Sequence, residues 1–180
     1  MSLRTPVLAA TLALLASWSH AALAPGDAAP DFGVDAALGG KDFRFELAKA
    51  LARGPVVLYF FPKAFTKGCT IEAHEFAEAT PKFEALGASV IGISNDDIAT
   101  TRRFSVEACR NAFPVGADPD SRVIKAYDAK LAMAPGMADR ISYVIAPGGK
   151  VFYTFSSLNP DGHVRNTMKA VEQLRAQKAR

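Results

Sequence analysis

Apolar residues along this chain follow three periods. Val56-Val57-Leu58-Tyr59-Phe60-Phe61 and Ala88 to Ser94 are continuous runs of strand length, rich in β-branched and aromatic residues. Such runs predict strands buried on both faces of a central sheet. Between them the period lengthens. Cys69, Ala73, Phe76, Thr80 and Phe83 recur at steps of three and four, one face of a helix, and Glu72, Glu75 and Glu78 lie largely off it. Pro81 should kink or break that helix, and Gly87 ends it. Two further stretches read as hairpins. Asp31 to Val34 and Phe43-Arg44-Phe45 flank Gly39-Gly40, and Ile141 to Ile145 and Val151 to Phe155 flank Ala146-Pro147-Gly148-Gly149.

The remaining segments complete an alternating order. Ala22 to Pro30 is small and proline-rich, an extended arm, and Glu46 to Arg53 predicts a short helix. Asn95-Asp96-Asp97 is a turn and N-cap signal for a helix from Ile98 to Arg110. Phe113 to Ala117 is a short strand, Asp118-Pro119-Asp120-Ser121 precedes a short helix through Tyr127, and Ala129 to Asp139 is a loop. Asn159-Pro160-Asp161 starts a last helix. A crossover helix makes the first two central strands parallel, and a tight turn makes the last two antiparallel. The expectation is an α/β thioredoxin-like fold: a mixed central sheet with helices on both faces. Such a fold does not set a function.

The N-terminus adds a compartment. Arg4 precedes an apolar stretch from Pro6 to Trp18, and Ser19-His20-Ala21 supplies small residues at the minus-three and minus-one positions. This is the three-part pattern of a secretory signal peptide over residues 1–21, with residues 22–180 as one mature domain. The apolar run falls short of the roughly 20 residues of a membrane span. A periplasmic or secreted bacterial protein follows, without a membrane partner once the leader is cut. The formal net charge of +3 calls for neither nucleic acid nor an anionic surface. Two cysteines, Cys69 and Cys109, are present, and in an exported chain a structural bridge between them is one reading.

Context offers another. Phe60-Phe61-Pro62-Lys63-Ala64-Phe65-Thr66-Lys67-Gly68-Cys69 takes the chain from a buried strand through a loop to a cysteine at the mouth of a helix. Unpaired N–H groups and the positive helix end both favour thiolate there. Cysteines so placed have pKa values of about 3.5–7.5, against about 8.5 when free, and the thiolate is the attacking species. Thr66 can offer a hydroxyl to the same small cavity, and Pro62 stiffens the loop. A small buried hydrophobe is the competing reading of Cys69.

Pro62-x-x-x-Thr66-x-x-Cys69, with its flanks, resembles the peroxiredoxin active-site pattern. Gly26-Asp27-Ala28-Ala29-Pro30-Asp31-Phe32 is similar to that family's N-terminal opening, and Cys69-Thr70-x-Glu72-Ala73-x-x-Phe76 to its Q-type (bacterioferritin comigratory protein) branch. Asp118-Pro119-Asp120 and Arg140 fall in the expected order, so the likeness covers about Pro25 to Leu174. The resemblance implies a thiol peroxidase acting on hydrogen peroxide and organic hydroperoxides, with no cofactor or metal. Cys69 would attack the O–O bond and become a sulfenic acid. Thr66 and loop N–H groups would hold the peroxide, and Arg140 would stabilise thiolate and leaving oxygen. Many Q-type members carry a second cysteine five residues after the first. His74 stands there in this chain, which leaves Cys109 as the resolving candidate. A thioredoxin-like protein or another thiol would be the reductant, and the enzyme a monomer or homodimer.

Rival readings fit less well. A disulfide oxidoreductase or cytochrome-maturation protein needs Cys-x-x-Cys, and Thr66 stands where the first cysteine would be. A copper-delivery protein lacks its soft-ligand cluster. His74 with Glu72 and Glu75 has poor metal spacing, and His163 reads as a surface or capping histidine without an assigned role. A binding module with a structural Cys69–Cys109 bridge would neither present free thiols nor consume peroxide.

Overall fold

A computed structural model describes residues 22–178, so the leader expected over residues 1–21 lies outside the described residues. Elements follow in the order β1 (Gly33–Leu38), β2 (Lys41–Glu46), α1 (Leu47–Leu51), β3 (Val56–Phe60), α2 (Lys67–Ala85), β4 (Ser89–Ser94) and α3 (Ile98–Glu107). Then come β5 (Val115–Ala117), α4 (Arg122–Ala126), β6 (Ile141–Ile145), β7 (Val151–Ser156) and α5 (His163–Lys178). The strands form one sheet in the order β2-β1-β5-β4-β3-β6-β7. β3 runs parallel to β4 and antiparallel to β6, as the crossover and the tight turn require. This is the mixed, thioredoxin-like α/β sheet expected from the apolar pattern.

Alternation along β3 builds both layers. Leu58 and Phe60 face a cluster with Ile91, Ile93, Ile124 and Tyr127. Val57, Tyr59 and Phe61 face the opposite cluster, with Cys69, Phe76, Phe104, Cys109 and Val171. Every β3 residue is therefore buried, which explains the unbroken apolar run. The β1–β2 hairpin turns on Gly39 and Gly40 at φ 56° and 77°, the left-handed pair that a two-residue hairpin loop demands. Two arms of hydrogen bonds, Gly26 N–H to the Val151 carbonyl and Val151 N–H to the Asp27 carbonyl, fix the N-terminal arm to β7.

Two details depart from expectation. α2 is not broken at Pro81 but runs through it to Ala85. Beside the gap left by the missing proline N–H, the Thr80 hydroxyl donates to the Phe76 carbonyl at 2.8 Å. α3 stops at Glu107 instead of Arg110. Arg110 and Asn111 both take positive φ, 51° and 59°, so the helix cannot continue past them. Cys109 consequently lies in the turn after α3.

Candidate active site

β3 ends at Phe60, and the chain must then reverse into α2. Phe61 extends the sheet through its N–H to the Ile93 carbonyl at 3.1 Å, and Pro62, half-buried, follows. The loop is then tied down by Asp96, a buried carboxylate. Asp96 accepts from the Ala64 N–H and the Ser94 hydroxyl, both at 2.8 Å, and pairs with Lys63 at 2.6 Å. Phe65 sits at φ 65°, an uncommon region for an aromatic residue, under the Arg103 guanidinium, which lies 5.0 Å from its ring centre. Left-handed backbone of this kind costs about 1–2 kcal/mol, and the Asp96 anchors hold it.

Thr66 is the N-cap of α2, in extended conformation and exposed. Its hydroxyl donates to the Lys63 carbonyl at 3.0 Å, which leaves the oxygen's lone pairs free to accept a hydrogen bond from an incoming O–H group. The first α-helical hydrogen bond is Thr70 N–H to the Thr66 carbonyl at 2.9 Å. The N–H groups of Lys67, Gly68 and Cys69 precede it at the positive end of the helix.

Cys69 lies in that first turn with 1% of its surface exposed. Arg140, one residue before β6, reaches across from the sheet. Its Nη2 donates to the Cys69 sulfur at 3.3 Å, its Nε to the Leu158 carbonyl at 2.9 Å, and its Nη1 pairs with Glu72. Gly68 gives the guanidinium room, because a Cβ there would stand 3.2 Å from Nη2. Burial works against the Arg140 charge, but Glu72 and Cys69 more than offset it and raise its pKa, so it stays protonated.

Glu72 and His163 complete the cluster, and both depart from the sequence reading. Glu72 is fully buried, not on the polar face, and His163 is fully buried, not a surface residue. His163 Nε2 faces the Ser157 carbonyl at 2.9 Å and therefore carries the ring hydrogen. Nδ1 then accepts from the Ser142 hydroxyl at 2.8 Å and lies 3.6 Å from Glu72 Oε1, which has no hydrogen-bond partner. Burial, with a smaller contribution from Arg140, lowers the His163 pKa to about 4 against the pull of the Ser157 bond. Burial pushes Glu72 up to about 8, with Arg140 pulling the other way. A helical-spacing signal was available for Glu72, three residues from Cys69 and four from Phe76. No local signal marks His163 or Asp96.

The structure thus brings Cys69 and Arg140 into contact at the α2 mouth that Pro62 and Thr66 lead into. Cys109 does not touch this group. It is a free, fully buried thiol in the turn after α3, within the same apolar cluster as Cys69. Burial raises its pKa. The constellation offers a buried sulfur with a fixed guanidinium donor, unpaired helix N–H groups and a hydroxyl acceptor. It is suited to nucleophilic attack by sulfur on a small, uncharged, electrophilic oxygen.

Residues 25–154 match the AhpC/TSA family. A chloroplastic peroxiredoxin Q of Oryza sativa subsp. japonica is 32% identical over 150 residues, 83% of this chain and 67% of that protein. The crystal structure of peroxidoxin BcpB from Mycobacterium tuberculosis is 32% identical, with a TM-score of 0.72 over 84% of this chain and 96% of that one. A Xanthomonas campestris peroxiredoxin Q structure is 27% identical, with a TM-score of 0.69 over 79% and 91% of the two chains.

Proposed function

The chain belongs to the AhpC/TSA family of peroxiredoxins, in the Q-type branch, and from that premise we propose that Cys69 is the thiol through which it reduces peroxides. The protein is a thiol peroxidase. The observation that carries the assignment of Cys69 is the Arg140 Nη2 contact with its sulfur at 3.3 Å, inside the first turn of α2. The Cys69 thiolate attacks the distal oxygen of hydrogen peroxide or an organic hydroperoxide. The S–O bond forms, the O–O bond breaks, and water or an alcohol departs after the leaving oxygen takes a proton. Cys69 is left as a sulfenic acid. Thr66 accepts the peroxide O–H, the N–H groups of Gly68 and Cys69 hold its oxygens, and Arg140 bears the charge developing on the leaving one. Pro62 stiffens the approach.

Cys109 then resolves the sulfenic acid within the same chain. Its thiol sulfur displaces the hydroxyl of Cys69, a disulfide forms, and water leaves with the thiol proton. A thioredoxin-like protein or another thiol returns two electrons and restores both thiols. Support comes from the placement of both cysteines in one cluster and from the irregular backbone at Arg110 and Asn111, where a segment can open locally. The test is peptide mass spectrometry after one equivalent of peroxide. A Cys69–Cys109 linked pair on a monomer-sized chain is expected, and sulfenic or sulfinic Cys69 in Cys109→Ser. Full turnover of Cys109→Ser with a thioredoxin system would show an enzyme working with one cysteine.

Export deepens the reading. Residues 1–21 have the pattern of a signal peptide, and the mature enzyme begins near Ala22 in the periplasm or outside the cell. The bacterial periplasm is kept oxidising, so the reducing electrons come from a dedicated thiol pathway. N-terminal sequencing of native protein tests this. A start at Met1 or Ser2 would contradict export.

A further inference from the structure

Tyr59 carries a hydroxyl that the reaction described so far does not use. It stands on β3, fully buried, and its oxygen has no hydrogen-bond partner. The ring stacks on Phe76 of α2 with centroids 4.4 Å apart and meets Phe113, in the connection to β5, edge-on at 5.9 Å. It therefore lies between α2, the helix that carries Cys69 in its first turn, and Phe113, four residues after Cys109, with both cysteines in the same buried cluster. The other side is closed by Gly92 of β4, where a Cβ would come 2.7 Å from the hydroxyl oxygen and 2.6 Å from Cζ. Nothing there accepts the hydroxyl proton. A phenylalanine would fill the same space without burying an unsatisfied polar atom, which proteins rarely do.

We infer that the Tyr59 hydroxyl is a donor reserved for the second half of the reaction: it hydrogen-bonds the Cys109 sulfur as that sulfur attacks oxidised Cys69. This rests on Cys109 as the resolving thiol. In the reduced fold Cys109 is a buried thiol whose ionisation burial opposes. When the turn after α3 opens, the sulfur must build up negative charge while still among Tyr59, Phe61 and Phe104. Tyr59 is the buried group of that cluster with a free proton to offer. Burial, and then the charges of Cys109, Glu72 and Cys69, push its own pKa well above the ordinary value, so it keeps that proton and acts only as a donor. The atoms balance without it. The S–O bond of Cys69 breaks, the S–S bond forms, and the Cys109 proton leaves in water.

The experiment is a competition in the whole protein between disulfide formation and over-oxidation. Peroxide is titrated against the reduced enzyme, and intact mass separates the Cys69–Cys109 disulfide from sulfinic Cys69. In Tyr59→Phe the peroxide concentration giving half sulfinic acid is expected to fall roughly tenfold, the size of a lost hydrogen bond to a charged acceptor. The same substitution in a Cys109→Ser background should add nothing. An unchanged half-point in Tyr59→Phe, or an equal shift in both backgrounds, would overturn the inference and leave Tyr59 a packing residue. A Cys109→Ser half-point equal to that of the parent would instead remove the resolving role of Cys109 on which the inference stands. Should Tyr59→Phe not fold, fluorotyrosine at position 59 gives the same answer from the other side. A stronger donor raises the half-point, and no change counts against the role.

Discussion

Replacing Glu72 by glutamine separates two descriptions of the cluster behind Cys69. One has Glu72 ionised, an ion-pair partner that competes with Cys69 for the Arg140 charge. The other, favoured by its complete burial and the unpartnered Oε1, has the carboxyl protonated at neutral pH. Burial moves its pKa from 4.5 to about 8. A raised folded-state pKa stabilises the fold fully below pH 4.5, and the benefit is lost as pH rises to about 8. At about 1.4 kcal/mol per pH unit, the loss across that window is on the order of several kcal/mol. Glutamine mimics the protonated acid. Its carbonyl can face Arg140, its amide can face His163, and it has no proton to lose. The stability of Glu72→Gln relative to the parent is therefore expected to climb by several kcal/mol between pH 4.5 and 8, measured by urea denaturation at half-unit steps. The destabilisation that His163 brings below pH 6.5, as it is forced toward protonation in a site that lowers its pKa to about 4, is common to both proteins and largely cancels. Peroxide reactivity should follow. Above pH 8 the parent's carboxylate competes with the Cys69 sulfur for Arg140, and the rate should fall along an alkaline limb that the variant lacks. A stability difference independent of pH, or one that turns against the glutamine as pH rises, would refute the protonated description.

Three other substitutions probe the supports of the site. Asp96→Ala orphans the Ala64 N–H and the Ser94 hydroxyl and frees Lys63, and is expected to cost about 2–4 kcal/mol in denaturant titration and to slow peroxide reduction through the loosened loop. Gly92→Ala drives a methyl into the Tyr59 ring and should cost about 1–3 kcal/mol, seen as a lower melting temperature. Arg140→Lys cannot serve the Leu158 carbonyl, Glu72 and Cys69 together, and stopped-flow oxidation of Cys69 is expected to slow by roughly tenfold or more.

The apolar pattern carried the sheet and the α2 face because both depend on local period. Cys69, Ala73, Phe76, Thr80 and Phe83 are all buried along α2, and Val56 to Phe60 is buried throughout. Asp97 caps α3 through the Thr100 N–H at 2.7 Å, as its place before the helix suggested. What escaped the pattern depends on partners far along the chain. Glu72 reads as a surface acid until Arg140, 68 residues away, and His163 close around it. Asp96 sits in a run that looks like turn chemistry, yet its carboxylate is the internal anchor of a loop 32 residues earlier. The end of α3 escaped for a different reason: Arg110 is an unusual residue for the left-handed region, whereas Asn111 beside it is one of the few types that adopt it readily. Pro81 does not break α2, although it removes the donor for the Ala77 carbonyl, because the packing of Phe76, Thr80 and Phe83 on the buried face extends on both sides of it.

The role of Cys69 is the centre of the account, and its exchange for serine tests that role most directly. Cys69→Ser changes one buried atom, at the head of α2 beside Arg140. Steady-state consumption of hydrogen peroxide with a thioredoxin system should fall to the level of the reductant alone, while circular dichroism and the urea midpoint show a folded protein. Undiminished peroxide consumption by the folded variant would contradict the account, because Cys109, the other of the two cysteines, lies buried in the turn after α3 and not at the positive end of a helix.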